Sequence, residues 1–542
     1  MFKHNNREDA FIRKIYARLL PVQIIMVAIQ SINGIVDGII GSRLLGSDAM
    51  AAVGLFSPLL SLLYALACII IVGSQVLGSQ TAGKGNMDNT NKIFSITICL
   101  IAILGVVVAF ILLLFNHQLA VLMKGNEMLA DYMIGVSFSF LFDVICAIFA
   151  DYLQLMGNVK NTYIGLFVLI ASNTLLNVVF IKTLNLGILG LGLATTVSTM
   201  FTFLIMGSGF IGKKSNIHFT FSGLPWNQVK EIIIYGSSAA TFNIVLAVKG
   251  FALNYIVLFI GGELALGAMS VYNSILGLTG AISMGIGTTT LTIGSVFYGE
   301  KDSKAVKSVF RVSFEIGITL AMVVAIFIVV FSGSISALFY SNEPQARKIL
   351  QDILIYSTMY IPLNIIICVY NKMYHIRGKM IITNILSFLE NAIVIVAALT
   401  LGLLFGLKGV WFSLPVGCLL LAVWVVLYTR GKGNFNDFNS QNSIYFNVFD
   451  EDDIDKVYGK IKNFILKHKP DEKDICRFVR KIIIKEKSKY KMFNCSVLDN
   501  NGMIEIRVRN NDKSSSLDIE DENYKVETQN FIGITEFKLE VR

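Results

Sequence analysis

Residues Pro21–Gly41 read PVQIIMVAIQSINGIVDGIIG, an apolar run that is long enough to cross a bilayer. It carries Gln23, Gln30, Asn33 and Asp37, which are spaced by seven, three and four residues, so a helix places them along one stripe. A carboxylate within an apolar span costs roughly 2.5–3.5 kcal/mol on insertion scales, so we expect it to face protein or a water-filled cavity. The stretch therefore predicts a membrane helix whose Asp37 lines the inside of a helix bundle.

Similar apolar runs recur along the chain. Of the 542 residues, 54% are hydrophobic and the mean hydropathy is +0.65, which excludes a soluble globular protein of this size. Runs of about 20 apolar residues predict an all-α polytopic membrane protein with twelve transmembrane helices. The predicted spans cover residues 15–40, 52–77, 93–115, 129–155, 162–184, 187–211, 230–260, 268–296, 306–333, 349–372, 381–404 and 409–430.

The net charge of +9 indicates orientation in a membrane and not a nucleic-acid partner, because most of it lies in short loops. Roughly 20 Lys and Arg residues fall on the side of the N-terminus, against six on the other side. We therefore expect a multi-pass protein of the cell membrane with both termini cytoplasmic. The seven cysteines show no CxxC pair, which favours free thiols over disulfides or a metal site.

The chain repeats itself at an offset of 216 residues. Gly46 aligns with Gly262, and Gly78 aligns with Gly294. Each copy of the repeat contains a short loop, two spans and a charged turn. A second match pairs 156–158 with 377–379. Because six spans per repeat is an even number, the two halves share one orientation and form two lobes related by an internal pseudo-twofold axis along the membrane normal. Such repeats place a substrate route between the lobes.

The chain divides into six predicted segments. They are a cytoplasmic arm (1–14), an N-lobe of six helices (15–211), a cytoplasmic linker (212–229), a C-lobe of six helices (230–430), a short linker (431–440) and a small α/β cytoplasmic tail (441–542).

Four motifs carry a resemblance to a known family. They are VDGIIGSRLLGSDAMAAVGL from Val36, GSQTAGKGN from Gly78, LLNVVFI from Leu175 and GILGLGLAT from Gly187. In this order they resemble the multidrug and toxic compound extrusion (MATE) family of antiporters, across about residues 15–430. The resemblance implies two six-helix bundles in a V that export small organic, drug-like or cationic compounds. It further implies H⁺ or Na⁺ entry as the driving force, no enzyme activity and no cofactor.

The resemblance also implies a cation-coupling site in the N-lobe. It joins Asp37 to Asn173, Asn177 and Thr195, with Na⁺ at Asp37 as the one metal ion expected. Asn177 stands where many coupled members have a second carboxylate, so this site holds one negative charge fewer.

Other polar residues of the spans are candidates for the transport route. Asp143 is an alternative protonation site, and Asp151 is expected to be solvated at the end of its span. Lys249 and Glu390 are expected to pair in the C-lobe, because an isolated buried charge is costly. Glu315 is placed near the cytoplasmic end of the ninth span, and the tenth span is expected to kink. Gln30, Asn33, Tyr360 and Asn364 are assigned to the substrate cavity.

The tail reads as strand, helix, helix, hairpin and strand, with the hairpin turning at residues 499–502. This order is similar to the ATP-binding domain of histidine-kinase and anti-sigma-factor type. The Mg²⁺-binding Asn of that family is absent, since residues 485–490 read KEKSKY. We therefore expect a regulatory or partner-binding domain without nucleotide hydrolysis, with a cytoplasmic protein as its partner.

Two other functions fit the sequence. One is a membrane sensor that binds a ligand among its spans and signals through the tail. The other is a flippase of lipid-linked oligosaccharides, although such proteins usually have more spans and more charge in the cavity.

Overall fold

The computed structural model describes residues 6–123, 125–211, 216–220, 222–340, 343–431, 443–449, 451–468, 473–500, 503–510, 526–532 and 534–541. A few side chains within these ranges, Gln30 among them, lie outside the description. The fold is a helical membrane body followed by a small α/β domain, as the sequence predicts.

The N-lobe begins earlier than predicted. Its first helix starts at Asn6, so the described part of the predicted arm belongs to that helix, and Phe11 and Ile12 are fully buried. The helices are α1 (Asn6–Leu45), α2 (Ser47–Gly83), α3 (Met87–Leu114), the short α4 (Asn116–Leu122), α5 (Glu127–Val136), α6 (Ser139–Leu155), α7 (Val159–Val178) with a π-helical turn (Val179–Thr183), and α8 (Gly187–Gly207).

The C-lobe contains two long helices that each break at a glycine. Its helices are α9 (Val229–Gly299), α10 (Ser303–Val330), α11 (Ser332–Phe339), α12 (Pro344–Ser357), α13 (Tyr360–Ile376) and α14 (Met380–Gly431). Gly262 in α9 and Gly406 in α14 have φ of 71° and 64°, a left-handed conformation that side chains other than glycine disfavour. Each break separates two crossings.

The count of crossings agrees with the prediction once these breaks are included. Ten helices of the described residues are long and apolar enough to cross a membrane, and the pair α12 and α13, bent by 42°, adds an eleventh. The break at Gly406 divides the 51-residue segment Met380–Arg430 into two, which gives twelve. The predicted kink of the tenth span lies at Thr358, four residues before Pro362, where the proline ring excludes the usual helical hydrogen bond.

The backbone confirms the internal repeat. Gly46 (φ 89°) and its counterpart Gly262 both have left-handed φ, as do Gly85 (φ 77°) and Lys301 (φ 60°), again 216 residues apart. Gly157 and Gly378 of the second match share this conformation, with φ of 65° and 70°. After each charged turn the next helix is capped alike, since Asn86 accepts a hydrogen bond from the Asn89 amide and Asp302 accepts one from the Ala305 amide, both at 3.0 Å.

The two lobes touch through glycines near the ends of α2 and α9. A Cβ on Gly83 would lie 1.9 Å from the Val296 carbonyl oxygen, and one on Gly299 would lie 2.1 Å from that of Gln80. Farther along the same helices, Gly54 and Gly280 have open space where a Cβ would lie. The lobes therefore close on each other at one face of the body. We call it the tail face, because the C-terminal domain lies against it.

The tail contains one antiparallel sheet with two helices on one side. Its elements are β1 (Ser443–Phe449), α15 (Ile454–His468), α16 (Lys473–Lys489), β2 (Met492–Asn500), β3 (Met503–Asn510), β4 (Val526–Phe531) and β5 (Ile534–Val541), in the sheet order β1-β2-β3-β5-β4. Asn500 pairs with Met503, as the predicted hairpin requires, although the loop residues 501 and 502 lie outside the described ranges.

One strand, β4, has no counterpart among the predicted elements. The predicted closing strand is divided, and its first part belongs to β4, a polar edge strand that reads VETQNF and exposes Glu527 and Thr528. Periodicity does not reveal such a strand because it buries few of its side chains. The predicted likeness to an ATP-binding domain stays a prediction.

Candidate functional site

A cavity of about 360 Å³ lies inside the N-lobe, lined by α1, α2, α5, α6, α7 and α8. Its polar lining includes Asn33, Asp37, Tyr64, Tyr132, Asp143 and Thr195. Asp37 therefore lies in the interior of a lobe, as the stripe on the first span predicts.

A chain of hydrogen bonds joins three helices behind Asp37. The side-chain amide of Asn177 donates to the Asp37 carboxylate at 2.7 Å and to the side-chain oxygen Oδ1 of Asn173 at 2.9 Å. The Asn173 amide in turn reaches the hydroxyls of Thr195 and Ser198, each at 3.5 Å. The structure thus brings together all four residues of the predicted coupling site. Ser198 is an addition, and its position one turn after Thr195 on α8 is the signal that could have revealed it.

The local helix geometry supports this arrangement. Asn173 and Asn177 lie one turn apart on α7 and are both fully buried. The helix widens into its π-helical turn directly after them, a distortion that is frequent at functional sites.

Two amide oxygens beside Asp37 are buried and accept no hydrogen bond from the described part of the chain. They are the Oδ1 atoms of Asn33 and Asn177, whose amide nitrogens both donate to the Asp37 carboxylate, Asn33 at 3.3 Å. Buried polar atoms are normally paired, so these oxygens mark a place for a further donor or cation. With the carboxylate they provide oxygen ligands, which hard cations prefer.

Asp143 lines the same cavity from α6. Its carboxylate accepts a hydrogen bond from the Tyr64 hydroxyl on α2. The N-lobe cavity therefore holds two carboxyl groups, each with a neutral donor beside it. Tyr64 was not identified from the sequence, because a tyrosine in an apolar span is usually a packing residue.

The predicted C-lobe residues form a separate cluster. Glu390 accepts a hydrogen bond from the Asn364 amide at 2.6 Å, and the buried Lys249 acts on this carboxylate only at longer range. Lys249 and Glu390 therefore interact electrostatically, as the predicted pair requires, but Asn364 takes the position next to the carboxylate. Tyr360 belongs to the same cluster and Asn33 lines the N-lobe cavity, so the predicted substrate residues do not share one pocket.

A polar seam, which was not predicted from the sequence, joins the lobes between the cavity and the tail face. Gln75 donates to Asp151 of its own lobe and to Thr292 of the other lobe, both at 3.0 Å. Gln23 donates to Gln154 at 2.7 Å and accepts a hydrogen bond from Thr288 of the other lobe at 3.2 Å. We call these residues the interlobe seam.

One prediction on a carboxylate is corrected by these contacts. Asp151 is 7% exposed and not solvated, because it is buried beside Gln75, which in turn binds Thr292 of the other lobe. Glu315 lies twelve residues into α10 and forms an ion pair with Arg13 of α1, and its place near the cytoplasmic end of the span stays a prediction. A second ion pair, Asp9 with Arg311 at 2.9 Å, joins the same two helices.

Comparisons with known proteins agree on one family. The MatE family model matches residues 23–182 and 239–425. The probable multidrug resistance protein YoeA of Bacillus subtilis (strain 168) is 27% identical over 334 residues, which cover 58% of this chain and 71% of that protein. The multidrug export protein MepA of Staphylococcus haemolyticus (strain JCSC1435) is 23% identical over 420 residues, which cover 74% and 92%.

Solved structures agree on the fold. A crystal structure of MATE in complex with MaL6 has a TM-score of 0.73 and 22% identity, covering 78% of this chain and 96% of that one. The outward-facing conformation of a multidrug resistance MATE family transporter has a TM-score of 0.72 at 22% identity, covering 78% and 95%. The family model ends at residue 425, before the tail.

Proposed function

Because the chain belongs to the MATE family, we propose that it is a secondary active exporter of small organic, drug-like or cationic compounds. It is a multi-pass membrane protein and not an enzyme. Its relatives are named for multidrug resistance and multidrug export. Export proceeds by alternating access, in which the two lobes open first on one side of the membrane and then on the other.

The observation that carries the coupling proposal is the environment of Asp37. The carboxylate is held by Asn177 on another helix, and two buried amide oxygens beside it have no donor among the described residues. A proton or a Na⁺ ion on Asp37 removes the negative charge that fixes the Asn177 amide. It also gives one of the free oxygens a partner. Loading of this site therefore changes how α1 and α7 are joined, which links ion entry to movement of the lobe.

Both ions remain candidates for this site. A proton needs one carboxylate and one acceptor, whereas Na⁺ needs several oxygens at once. Asp37, Asn33 and Asn177 meet either requirement. The single carboxylate predicts a weaker cation site than one with a second acid at position 177. No cofactor is required by this mechanism.

We assign the tail face to the cytoplasm of the cell, with the protein in the plasma membrane. The supporting observation is the excess of Lys and Arg in the loops on this side. Both termini then lie in the cytoplasm, where the tail can meet a soluble protein partner.

The test is export of ethidium, a cationic dye, from vesicles that contain the purified full chain. A pH gradient and a Na⁺ gradient are imposed separately. We expect one gradient to drive export in the wild-type protein and neither to drive it in Asp37→Asn. Asp131→Asn, which removes an exposed carboxylate of α5, serves as the matched control. Equal export by Asp37→Asn and the wild type under both gradients would refute the coupling assignment. A sensor without transport activity would export nothing in either form.

A further inference from the structure

Part of the tail is buried against the membrane body. Tyr445, Phe531, Ile532 and Ile534 belong to the same hydrophobic cluster as the membrane helices. The core of the tail itself, which includes Ile465, Val497, Val508 and Leu539, is a separate cluster. The tail is therefore a folded unit that also contributes side chains to the core of its neighbour.

On the C-lobe side, two arginines of β3 enter the turn between α9 and α10. Arg509 is fully buried and binds Asp302 at 3.1 Å, Glu536 at 2.6 Å and, as a further ion pair, Glu300. Arg507 donates to the Glu300 carboxylate at 3.2 Å and to its backbone carbonyl at 2.9 Å. Because strands alternate, Ile506 and Val508 face the tail core while these arginines face the body.

On the N-lobe side, the hairpin of β4 and β5 makes the contact. The Ile532 amide donates to the Leu155 carbonyl at the end of α6. A Cβ on Gly85 would lie 2.4 Å from the Gln529 amide nitrogen, so this side chain covers the turn between α2 and α3. Ile532 has a φ of 44°, which is unfavourable for a β-branched residue and is therefore held in place by its surroundings.

The two turns that the tail contacts are counterparts in the internal repeat. Residues 84–86 and 300–302 lie 216 positions apart and have the same backbone form, next to the close contacts of Gly83 and Gly299 between the lobes. An opening at the tail face has to move these turns apart. The tail contacts both, so it cannot keep both contacts during such a movement.

We propose that residues 443–541 clamp the two lobes together at the tail face, and that the protein opens on this face only after the tail undocks. This inference rests on the proposed transport function, because only alternating access requires the tail face to open. The clamp would set the rate of export through the fraction of molecules whose tail is undocked. A cytoplasmic partner that binds the undocked tail would then activate the protein.

The charges in the contact make undocking cooperative. Among the described residues, one buried cluster of ion pairs contains the carboxylates of Glu300, Asp302, Glu505 and Glu536 and the cations Arg507, Arg509 and Lys538. Removal of one member weakens the compensation of every buried charge that it contacts, which is unfavourable. Burial raises the pKa of Glu300 to about 8; Arg509 and Arg507 oppose the shift, whereas the carboxylates of Glu536 and Asp302 add to it.

The repeat supplies a variant that breaks the contact and preserves the turn. Lys84 stands in the N-lobe where Glu300 stands in the C-lobe, so Glu300→Lys introduces a residue that this backbone already carries. The substitution adds another cation next to Arg507 and Arg509. Asp302→Asn is the milder change, because its counterpart Asn86 caps the next helix equally well. Asp455→Lys makes the same charge reversal at an exposed position of α15 and is the matched control.

Three measurements are made on the full chain. Amide hydrogen exchange of the segment 526–541 reports docking. The distance between spin labels at Lys160→Cys in the N-lobe and Lys379→Cys in the C-lobe reports opening of the tail face. Ethidium export reports transport. In Glu300→Lys we expect exchange of the segment to rise on the order of a hundredfold, with a longer distance and faster export. Asp302→Asn should give a smaller change of the same sign, and Asp455→Lys none.

Two results would overturn the clamp. One is unchanged exchange of 526–541 in Glu300→Lys. The other is faster exchange with an unchanged distance between the labels. If the distance increases but no variant exports ethidium under either gradient, the clamp stands and the proposed export of cationic dyes fails.

Discussion

Replacement of Gly83 by alanine tests whether contact of α2 with α9 holds the tail face closed. The added Cβ would lie 1.9 Å from the Val296 carbonyl oxygen, whereas such contacts are essentially never shorter than 3.0 Å. The helices would therefore have to separate by at least 1.1 Å at this point. The neighbour is backbone, so no side chain can rotate away to make room.

The cost falls only on the closed state. Overpacking of this kind costs about 1–3 kcal/mol, which corresponds to a shift of roughly 5- to 150-fold in the equilibrium between the two states. Gly299→Ala should act alike from the other lobe, since its Cβ would lie 2.1 Å from the Gln80 carbonyl oxygen. The two changes affect one contact region, so their effects should not add.

The assay is the distance distribution between labels at Lys160→Cys and Lys379→Cys, measured in nanodiscs. We expect the longer distance to gain population in Gly83→Ala and Gly299→Ala. Gly54→Ala and Gly280→Ala are the controls, because they lie on the same helices with open space at the Cβ position. Both control substitutions stabilise their helix by about 1 kcal/mol, because alanine has a higher helix propensity than glycine, and neither adds a contact with the other lobe. If Gly83→Ala gives the same distance distribution as Gly54→Ala, the contact of α2 with α9 at Gly83 does not hold the tail face closed.

Three further predictions concern carboxylates. Asn177→Asp places a second acid beside Asp37 and should raise the apparent affinity for the coupling cation by about tenfold. The affinity is measured as ethidium export against ion concentration, and an unchanged affinity contradicts this prediction. Asp151→Leu removes one of the two acceptors of the Gln75 amide and should destabilise the interlobe seam by about 1–3 kcal/mol, whereas Asp151→Asn should cost less. The label distance decides, and equal effects contradict the assignment. Tail docking should weaken as pH rises. The pKa of Glu300 is about 8 in the docked state, above its ordinary 4.5, so docking binds a proton. The contribution of this proton to docking is full below pH 4.5, falls as pH rises and is gone once pH has passed through 8. Amide exchange of 526–541, corrected for its intrinsic pH dependence, should show this loss in the wild type and not in Glu300→Gln.

Much of the membrane body follows from local patterns in the sequence. Apolar runs determine the spans because a helix must be about 20 residues long to cross the bilayer. The offset of 216 residues predicts the repeat, and the positive φ of Gly46 and Gly262 confirms it. The stripe of polar residues on the first span placed Asp37 inside a lobe. The partners Asn173, Asn177 and Thr195 came from the family resemblance, and the structure places them within one chain of hydrogen bonds.

The contacts between distant parts of the chain were decided only by the tertiary structure. Asp151 lies near the end of its span and is predicted to be solvated, yet it is buried beside Gln75, whose amide also binds Thr292 of the opposite lobe. Arg509 lies in the predicted hairpin, and no local pattern shows that it is fully buried against a turn some 207 residues earlier. The reason is physical. A sequence window shows which side chains share a face of a helix or strand, but burial and ion pairing depend on what packs against that face.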